Sequence, residues 1–167
     1  MTLQEVKLLL AYNAWANNRV FDAVETISPE DLLRNLKTGH GSVHGTLTHM
    51  VAAEKLWLSR MAGSPDKAMV APAEVPALAD VKMLWETTGY AMAKFLGGLS
   101  DRKLQETFTM TLASGRTYTH QIWHGFQHVV DHSSYHRGQI AVLMRQLGYT
   151  PAVMGMMAFH RETAKLT

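Results

Sequence analysis

The sequence contains no cysteine among its 167 residues. Disulfide bonds, thiolate nucleophiles and cysteine-ligated zinc sites are therefore excluded, and a bound metal ion would need nitrogen and oxygen ligands. Charged residues are also few, at 18% of the chain, and the formal net charge is only +2. Because the lysines and arginines are scattered, they form no basic patch, and we expect no nucleic-acid partner.

Long apolar runs are missing as well. No stretch approaches the roughly 20 apolar residues that cross a membrane as a helix. The amino terminus, Met1–Lys7, lacks the charged and apolar regions of a secretory signal. We therefore expect a cytoplasmic protein without a membrane partner. The length fits one domain over residues 1–167, with a core large enough to be stable without cross-links.

Apolar side chains recur at helical spacing in four segments, which predict an all-α, up-down four-helix bundle. The segments cover about residues 3–27, 43–61, 78–97 and 120–147. Residues 64–77 hold three prolines and predict a long loop. Between helices three and four, residues 107–119 alternate around Ser114-Gly115 and predict a short β-hairpin. Thr150-Pro151 predicts the start of a C-terminal helical tail.

The apolar stripes are interrupted by polar residues near the middle of each helix. These interruptions are Asn13, Asn17, Glu54, Thr88, Ser133 and His136. One unpaired buried polar group costs about 1–3 kcal/mol, so several at one level cannot remain unpaired. They must bond to one another, hold water or surround an ion.

Two histidines at a spacing of four, His132 and His136, lie on the fourth stripe. On a helix their Cβ atoms are roughly 6 Å apart, so both imidazoles can reach one metal ion if a third ligand joins them. His49, in the middle of the second helix, is the candidate third ligand. A hydrogen-bonded histidine core without metal is the alternative interpretation.

The remaining histidines give weaker indications. His128 is about 12 Å from His136 along the helix, so the two cannot share an ion. We regard His128 as a candidate outer partner or spare ligand, and partial exposure without a metal role is the alternative. His40, His44 and His160 show no informative spacing.

Glu54 is the acid nearest to His49 on the second helix. It could reach inward as a general base or as an acceptor that orients a ligand. The equally open alternative is a structural carboxylate paired with an arginine such as Arg19 or Arg137. The His-Glu-x-x-His pattern of zinc peptidases is absent.

Several motifs together resemble the DinB/YfiT-like superfamily of metalloenzymes, and its damage-inducible DinB branch in particular. They are Asp131-His-Ser-Ser-Tyr-His-Arg-Gly-Gln139, Leu143-Met-Arg-Gln-Leu-Gly148, Tyr12-Asn-Ala-Trp-Ala-Asn17 and residues 42–60. The resemblance implies a four-helix bundle, a divalent metal ion on His49, His132 and His136, and a homodimer. Zinc and nickel are the metals it suggests first, and imidazole ligands also suit iron or manganese.

One departure from that family concerns the tail. The family often has an acidic residue after the proline, whereas Pro151-Ala-Val-Met-Gly-Met-Met157 has none. A role that depends on that acid is therefore not expected in this chain.

Three functions follow from these observations. The first is a metal-dependent hydrolase or, as the family resemblance implies, a thiol-dependent transferase acting on a small molecule, with a low-molecular-weight thiol as a candidate. In this function Glu54 or a metal-bound water would be the base, and Asn13, Asn17 and Gln139 would orient the reacting groups. The second is a non-catalytic, metal-binding stress protein. The third is a purely structural bundle with a hydrogen-bonded histidine core.

Overall fold

The computed structural model describes residues 1–64, 68–112 and 114–164. Its main elements are four long helices, α1 (Leu3–Val24), α3 (Val43–Met61), α4 (Leu78–Gly97) and α6 (Ile122–Gln146). The short elements are α2 (Pro29–Leu33), a 3₁₀ turn (Pro72–Glu74), α5 (Asp101–Leu104), β1 (Thr107–Thr111), β2 (Thr117–Gln121) and α7 (Met156–Thr163). The predicted four-helix bundle with a hairpin and a helical tail is confirmed.

Hydroxyl side chains set the starts of two long helices. Thr2 caps α1 in a reciprocal pair with Glu5, and the Ser42 hydroxyl accepts a hydrogen bond from the Gly45 backbone N–H at 3.0 Å. These bonds satisfy amide groups that the first turn of a helix leaves without partners. The predicted start of α3 after Ser42 is therefore confirmed.

Three predicted boundaries are wrong. The first helix ends at Val24. After it, the backbone N–H groups of Thr26 and Ile27 bond to carbonyls three residues earlier, as in a tight turn, and Ser28 then caps α2. His120 lies in β2 and not in the fourth helix, which starts at Ile122. The tail helix starts at Met156 and not at Pro151. Before it, the Met154 carbonyl accepts a hydrogen bond from the Tyr12 hydroxyl of α1 at 3.0 Å, which ties an irregular segment to the bundle.

Two apolar clusters fix how the long helices run. One cluster joins the last residues of α1 and α6 to the first residues of α3 and α4, including Val24, Met144, Leu47 and Val81. The second joins the opposite ends of the same four helices. Hence α1 and α6 run one way and α3 and α4 run the other way. The bundle of four helices is as predicted, but the up-down alternation is not kept between α3 and α4, which are parallel. α3 ends at the second cluster and α4 begins at the first, with the predicted loop between them. Residues 65–67 of that loop lie outside the described residues.

The hairpin packs on the second apolar cluster. β1 and β2 are antiparallel, and Phe108 of β1 is buried in that cluster. Threonine hydroxyls form cross-strand contacts on the outer face, between Thr109 and Thr119 at 3.1 Å. A two-stranded hairpin alone is marginally stable in water, so its contact with the bundle supplies the stabilisation it needs.

A buried polar network lies between the two apolar clusters. Glu54 Oε1 accepts hydrogen bonds from Asn13 Nδ2 at 2.8 Å, Asn17 Nδ2 at 2.9 Å and Ser133 Oγ at 2.8 Å. Arg137, which is 1% exposed, donates to the side-chain oxygens of both asparagines at 2.6 and 2.7 Å. The two asparagines therefore connect a buried carboxylate to a buried guanidinium, and the network joins α1, α3 and α6.

No helix in the described ranges is both long and apolar enough to span a membrane.

The buried charges in this network predict a strong energetic coupling. We expect Arg137→Met to destabilise the protein by about 3–5 kcal/mol, because it leaves the Glu54 charge buried without compensation. The double variant Glu54→Gln/Arg137→Met should be destabilised by at least about 1 kcal/mol less than the sum of the single variants. Urea unfolding of the four proteins measures this difference.

The matched control is the exposed ion pair between Arg19 and Glu162, whose nitrogen and oxygen are 2.7 Å apart. Its double-mutant cycle, with Arg19→Met and Glu162→Gln, should give a coupling of about 0–1 kcal/mol. Equal coupling energies in the two cycles would show that burial adds nothing to the interaction of Glu54 with Arg137.

Candidate metal centre

Four histidines from three elements meet in a half-buried group. His49 belongs to α3, His132 and His136 belong to α6, and His40 belongs to the loop between α2 and α3. His49, His132 and His136 are the three residues predicted as metal ligands. The structure brings them together, and it adds His40, which the spacing of residues did not single out.

The imidazole of His132 lies between those of the other two predicted ligands. Its Nε2 is 3.2 Å from Nε2 of His49 and 3.1 Å from Nε2 of His136. The ring centroids of the three side chains are 4.3–5.1 Å apart. Nε2 of His132 therefore lies within hydrogen-bonding distance of two other ring nitrogens. Either a hydrogen bond or a shared ion must account for each of these two close contacts.

Hydrogen bonds alone satisfy this arrangement only in part. A ring nitrogen carries either one proton or one lone pair, so Nε2 of His132 can complete one of its two contacts and not both. The Nδ1–H of His136 donates to the Oε1 of Gln139 at 2.8 Å. In the neutral ring this leaves a bare lone pair on Nε2 of His136, directed at His132. A cation bound between the three Nε2 atoms would accept a lone pair from each, so both close contacts of His132 Nε2 would be satisfied.

Burial keeps these imidazoles neutral. Desolvation, which is the largest cause, and repulsion from His40 and His136 lower the pKa of His49 to about 4. Desolvation, with repulsion from the neighbouring histidines, lowers the pKa of His132 to about 3. The pKa of His136 is also lowered, by desolvation first, although its bond to Gln139 acts in the opposite direction. Neutral imidazole is the form that binds a metal ion, so the group is ready to act as ligands near neutral pH.

The spacing of the nitrogens fits a metal ion. Two imidazole nitrogens that bind one tetrahedral zinc ion at about 2.0–2.1 Å are about 3.3 Å apart. The two Nε2–Nε2 distances at His132 are close to this value. A second group consists of His40, His49 and His136, whose ligand atoms all lie within 4.8 Å of one another. The two groups share His49 and His136 and differ in the third histidine.

His40 is held against the group by its backbone. Its ring stacks on His49, with centroids 4.0 Å apart and an interplanar angle of 19°. A Cβ atom at Gly45 would overlap the carbonyl oxygen of His40, so only glycine allows α3 to approach this loop so closely. Gly41 has a positive φ of 75°, which favours glycine, and its carbonyl accepts a bond from Leu36 N–H at 2.7 Å.

Sequence reasoning missed His40 because a loop has no periodicity to mark the inward face. The available signal was the pair of glycines around His40, together with a third glycine in the first turn of the following helix. A glycine inside a helix costs about 1 kcal/mol relative to alanine, which suggests a close contact.

The other predicted site residues divide into two sets. Gln139 contacts a histidine of the group directly, through the bond to His136. The ring of His128 is 5.5 Å from that of His132 and 4.3 Å from that of Trp57. Asn13, Asn17 and Glu54 instead form the buried network with Ser133 and Arg137. Within residues 1–64, 68–112 and 114–164, no hydrogen bond joins Glu54 to a histidine.

Comparisons with known proteins agree with the sequence motifs. The model of the DinB family matches residues 2–166. The chain is 25% identical over 169 residues to Protein DinB of Bacillus subtilis, covering 94% of this chain and 95% of that protein. It is also 29% identical over 141 residues to the uncharacterised protein YizA of Bacillus subtilis, covering 84% and 86% of the two chains.

Two crystal structures share the fold. A DinB-like protein from Bacillus cereus superposes with a TM-score of 0.64 at 20% identity, covering 87% of this chain and 95% of that one. A DinB family member from Shewanella denitrificans gives a TM-score of 0.56 at 12% identity, covering 88% and 84%. Since the family model spans almost the entire sequence, the chain belongs to the DinB family.

Proposed function

We propose that this protein binds one divalent metal ion through His49, His132 and His136 and uses it to act on a small molecule, as a hydrolase or a thiol-dependent transferase. The observation that carries the proposal is the position of His132 Nε2, 3.2 and 3.1 Å from two other imidazole nitrogens. Zinc or nickel is the first choice of metal, and iron or manganese also suits imidazole ligands.

His49, His132 and His136, the close group, are a better ligand set than the second group of His40, His49 and His136. The ring of His40 lies nearly parallel to that of His49 at 4.0 Å, so it covers the face of a ligand. Imidazoles that share a tetrahedral ion point their nitrogens at one centre, which places their ring centroids about 5.2 Å apart for Zn–N bonds of about 2.0–2.1 Å. The centroids of His49 and His132, 5.1 Å apart, agree with that arrangement, whereas the two separations that involve His136, 4.6 and 4.3 Å, are shorter. The main support for this set is therefore the pair of Nε2–Nε2 distances at His132, 3.2 and 3.1 Å.

A catalytic role follows from the ligand chemistry. Three neutral imidazoles leave the full charge on a divalent ion and leave at least one coordination position open. Such an ion supplies activation of water, polarisation of a carbonyl or stabilisation of a thiolate. Gln139 contributes by fixing the proton of His136 on Nδ1, which keeps Nε2 available as a ligand.

The alternative function is a non-catalytic, metal-binding stress protein. One observation favours it: the carboxylate predicted as the base, Glu54, has three protein donors on Oε1 and belongs to the buried network. The base role of Glu54 therefore stays a prediction, and so does the homodimer expected from the family resemblance. Light scattering that returned a monomer would remove the dimer.

Metal analysis of protein purified without a histidine tag tests the ligand assignment. We expect about one equivalent of a divalent transition metal in the wild type, and less than about a tenth of an equivalent in His132→Ala, since a three-ligand site that loses one ligand binds far more weakly. The matched control is His40→Ala, which should keep about one equivalent. Mass spectrometry of the metal content gives these values directly.

The reverse pattern, with metal lost in His40→Ala and kept in His132→Ala, would assign the site to the second group, His40, His49 and His136. A wild type that takes up no transition metal after incubation and desalting would leave only the hydrogen-bonded histidine core.

A second experiment separates catalysis from metal storage and tests Glu54. Metal-loaded protein is screened with thiols and electrophiles and with an ester and amide panel, with and without a chelator. We expect metal-dependent turnover.

Glu54→Gln keeps the shape and the acceptor oxygen of the side chain, so loss of a general base should lower kcat about 10²–10⁴-fold while the fold is retained.

If Glu54 is only structural, Glu54→Gln will lower the free energy of unfolding and leave kcat unchanged. No turnover with any member of either panel would favour the non-catalytic function.

A further inference from the structure

A cavity of about 370 Å³ lies beside the histidine group, between the α2–α3 loop and α6. Its volume falls in the range of about 300–1,000 Å³ that is usual for small-molecule sites. The loop contributes Thr38, Gly39 and His40, and α6 contributes six residues, among them Gln139, Val142 and Leu143. None of its lining residues is an aspartate, glutamate, lysine or arginine.

Gln139 connects this cavity to the histidine group. Its Oε1 accepts the proton of His136 Nδ1 at 2.8 Å. The same bond orients the side-chain NH₂ group, which has no hydrogen-bond partner in the part of the chain that the structure describes. An amide NH₂ donates two hydrogen bonds. The cavity wall therefore offers a fixed donor on the residue that bonds directly to His136, a proposed metal ligand.

His40 stands between this cavity and a second one. The second cavity, of about 320 Å³, is lined by His40 and His49 together with Gly45 and Val70. Both cavities thus include Gly39 and His40 in their walls. The backbone of His40 packs closely against Gly45, and His40 lines both cavities, so the first cavity lies at the edge of the histidine group.

We propose that the first cavity binds the substrate, an uncharged and mainly apolar organic molecule whose carbonyl or similar acceptor bonds to the Gln139 amide. This deepens the proposed function, on which it rests for what happens to the bound molecule. The apolar part packs on Val142 and Leu143. Burying an unpaired charge is far more costly than burying a hydrogen-bonded neutral group, so walls without charged side chains select against ionic ligands.

The test uses four benzene derivatives of similar size, namely benzamide, benzoate, benzylamine and toluene, with metal-free protein. Benzamide is neutral and carries a carbonyl acceptor. Benzoate is negatively charged, benzylamine is positively charged, and toluene is neutral without an acceptor. We expect saturable binding of benzamide in the millimolar range by ligand-detected NMR. Benzylamine should bind at least about tenfold more weakly, because its ammonium finds no carboxylate in the walls. Benzoate should also bind at least about tenfold more weakly, because the Gln139 amide can donate to its carboxylate but no lysine or arginine compensates the buried charge.

Two variants locate the site. Gln139→Leu should weaken benzamide about three- to tenfold, the value of one hydrogen bond, and leave toluene unchanged. Val142→Arg should abolish the binding of both by placing a charged side chain in the wall. Met83→Arg is the matched control, since Met83 is a similarly exposed apolar residue on α4, outside the cavity, and it should bind like the wild type.

Three results would overturn the proposal: no saturable benzamide binding, benzoate or benzylamine binding as tightly as benzamide, or unchanged benzamide binding in Val142→Arg. Unchanged benzamide affinity in Gln139→Leu would remove the assigned hydrogen bond. Metal-free protein is used because a carboxylate can bind a metal ion directly. Failure of the metal site therefore shows in the metal analysis, whereas failure of the cavity shows here.

Discussion

One nitrogen atom with two close neighbours imposes the central constraint on this site. Nε2 of His132 faces an imidazole nitrogen on each side, at 3.2 and 3.1 Å, and has one proton or one lone pair to offer. Gln139 commits the proton of His136 to its other nitrogen, which increases the number of lone pairs that meet. A shared cation would relieve this conflict. Protonation does not relieve it near neutral pH, because desolvation lowers the pKa of His49 to about 4 and that of His132 to about 3.

The bundle holds this constraint in place with two kinds of contact. Apolar clusters at both ends of the four helices position α3 against α6, so the histidines of the two helices cannot separate. Between the clusters, Asn13 and Asn17 join the charges of Glu54 and Arg137 without direct contact between the two charged groups. Breaking a buried network of this kind by removing one partner is costly, so it restricts the helices to one register.

Much of the fold was predictable because it depends on local patterns. Helical spacing, the Ser42 cap and the alternation around Gly115 located the four helices and the hairpin. The wrong boundaries arose where tertiary contacts determine the helix ends. One example is the tail helix, which starts only at Met156, after the Met154 carbonyl that accepts the Tyr12 hydroxyl. The spacing of His132 and His136 indicated a shared site, whereas His40 depends on a loop whose path is set by the approach of Gly45.

The polar interruptions of the stripes show the same division. For Asn13, Asn17, Glu54 and Ser133, burial and mutual hydrogen bonding were predictable, since unpaired groups at one level would destabilise a small domain. Their partners were not, because Asn13 and Asn17 could equally have faced the histidines. The structure separates them into the Glu54–Arg137 network and leaves Gln139 as the amide that contacts a histidine of the group.

X-ray absorption spectroscopy of the tag-free, metal-loaded protein tests the central claim most directly. The spectrum at the metal edge should require three imidazole nitrogens at about 2.0–2.1 Å if the ion is zinc, with light-atom scatterers completing the shell. A spectrum without imidazole scattering, or one identical to that of the hydrated ion in buffer, would contradict it.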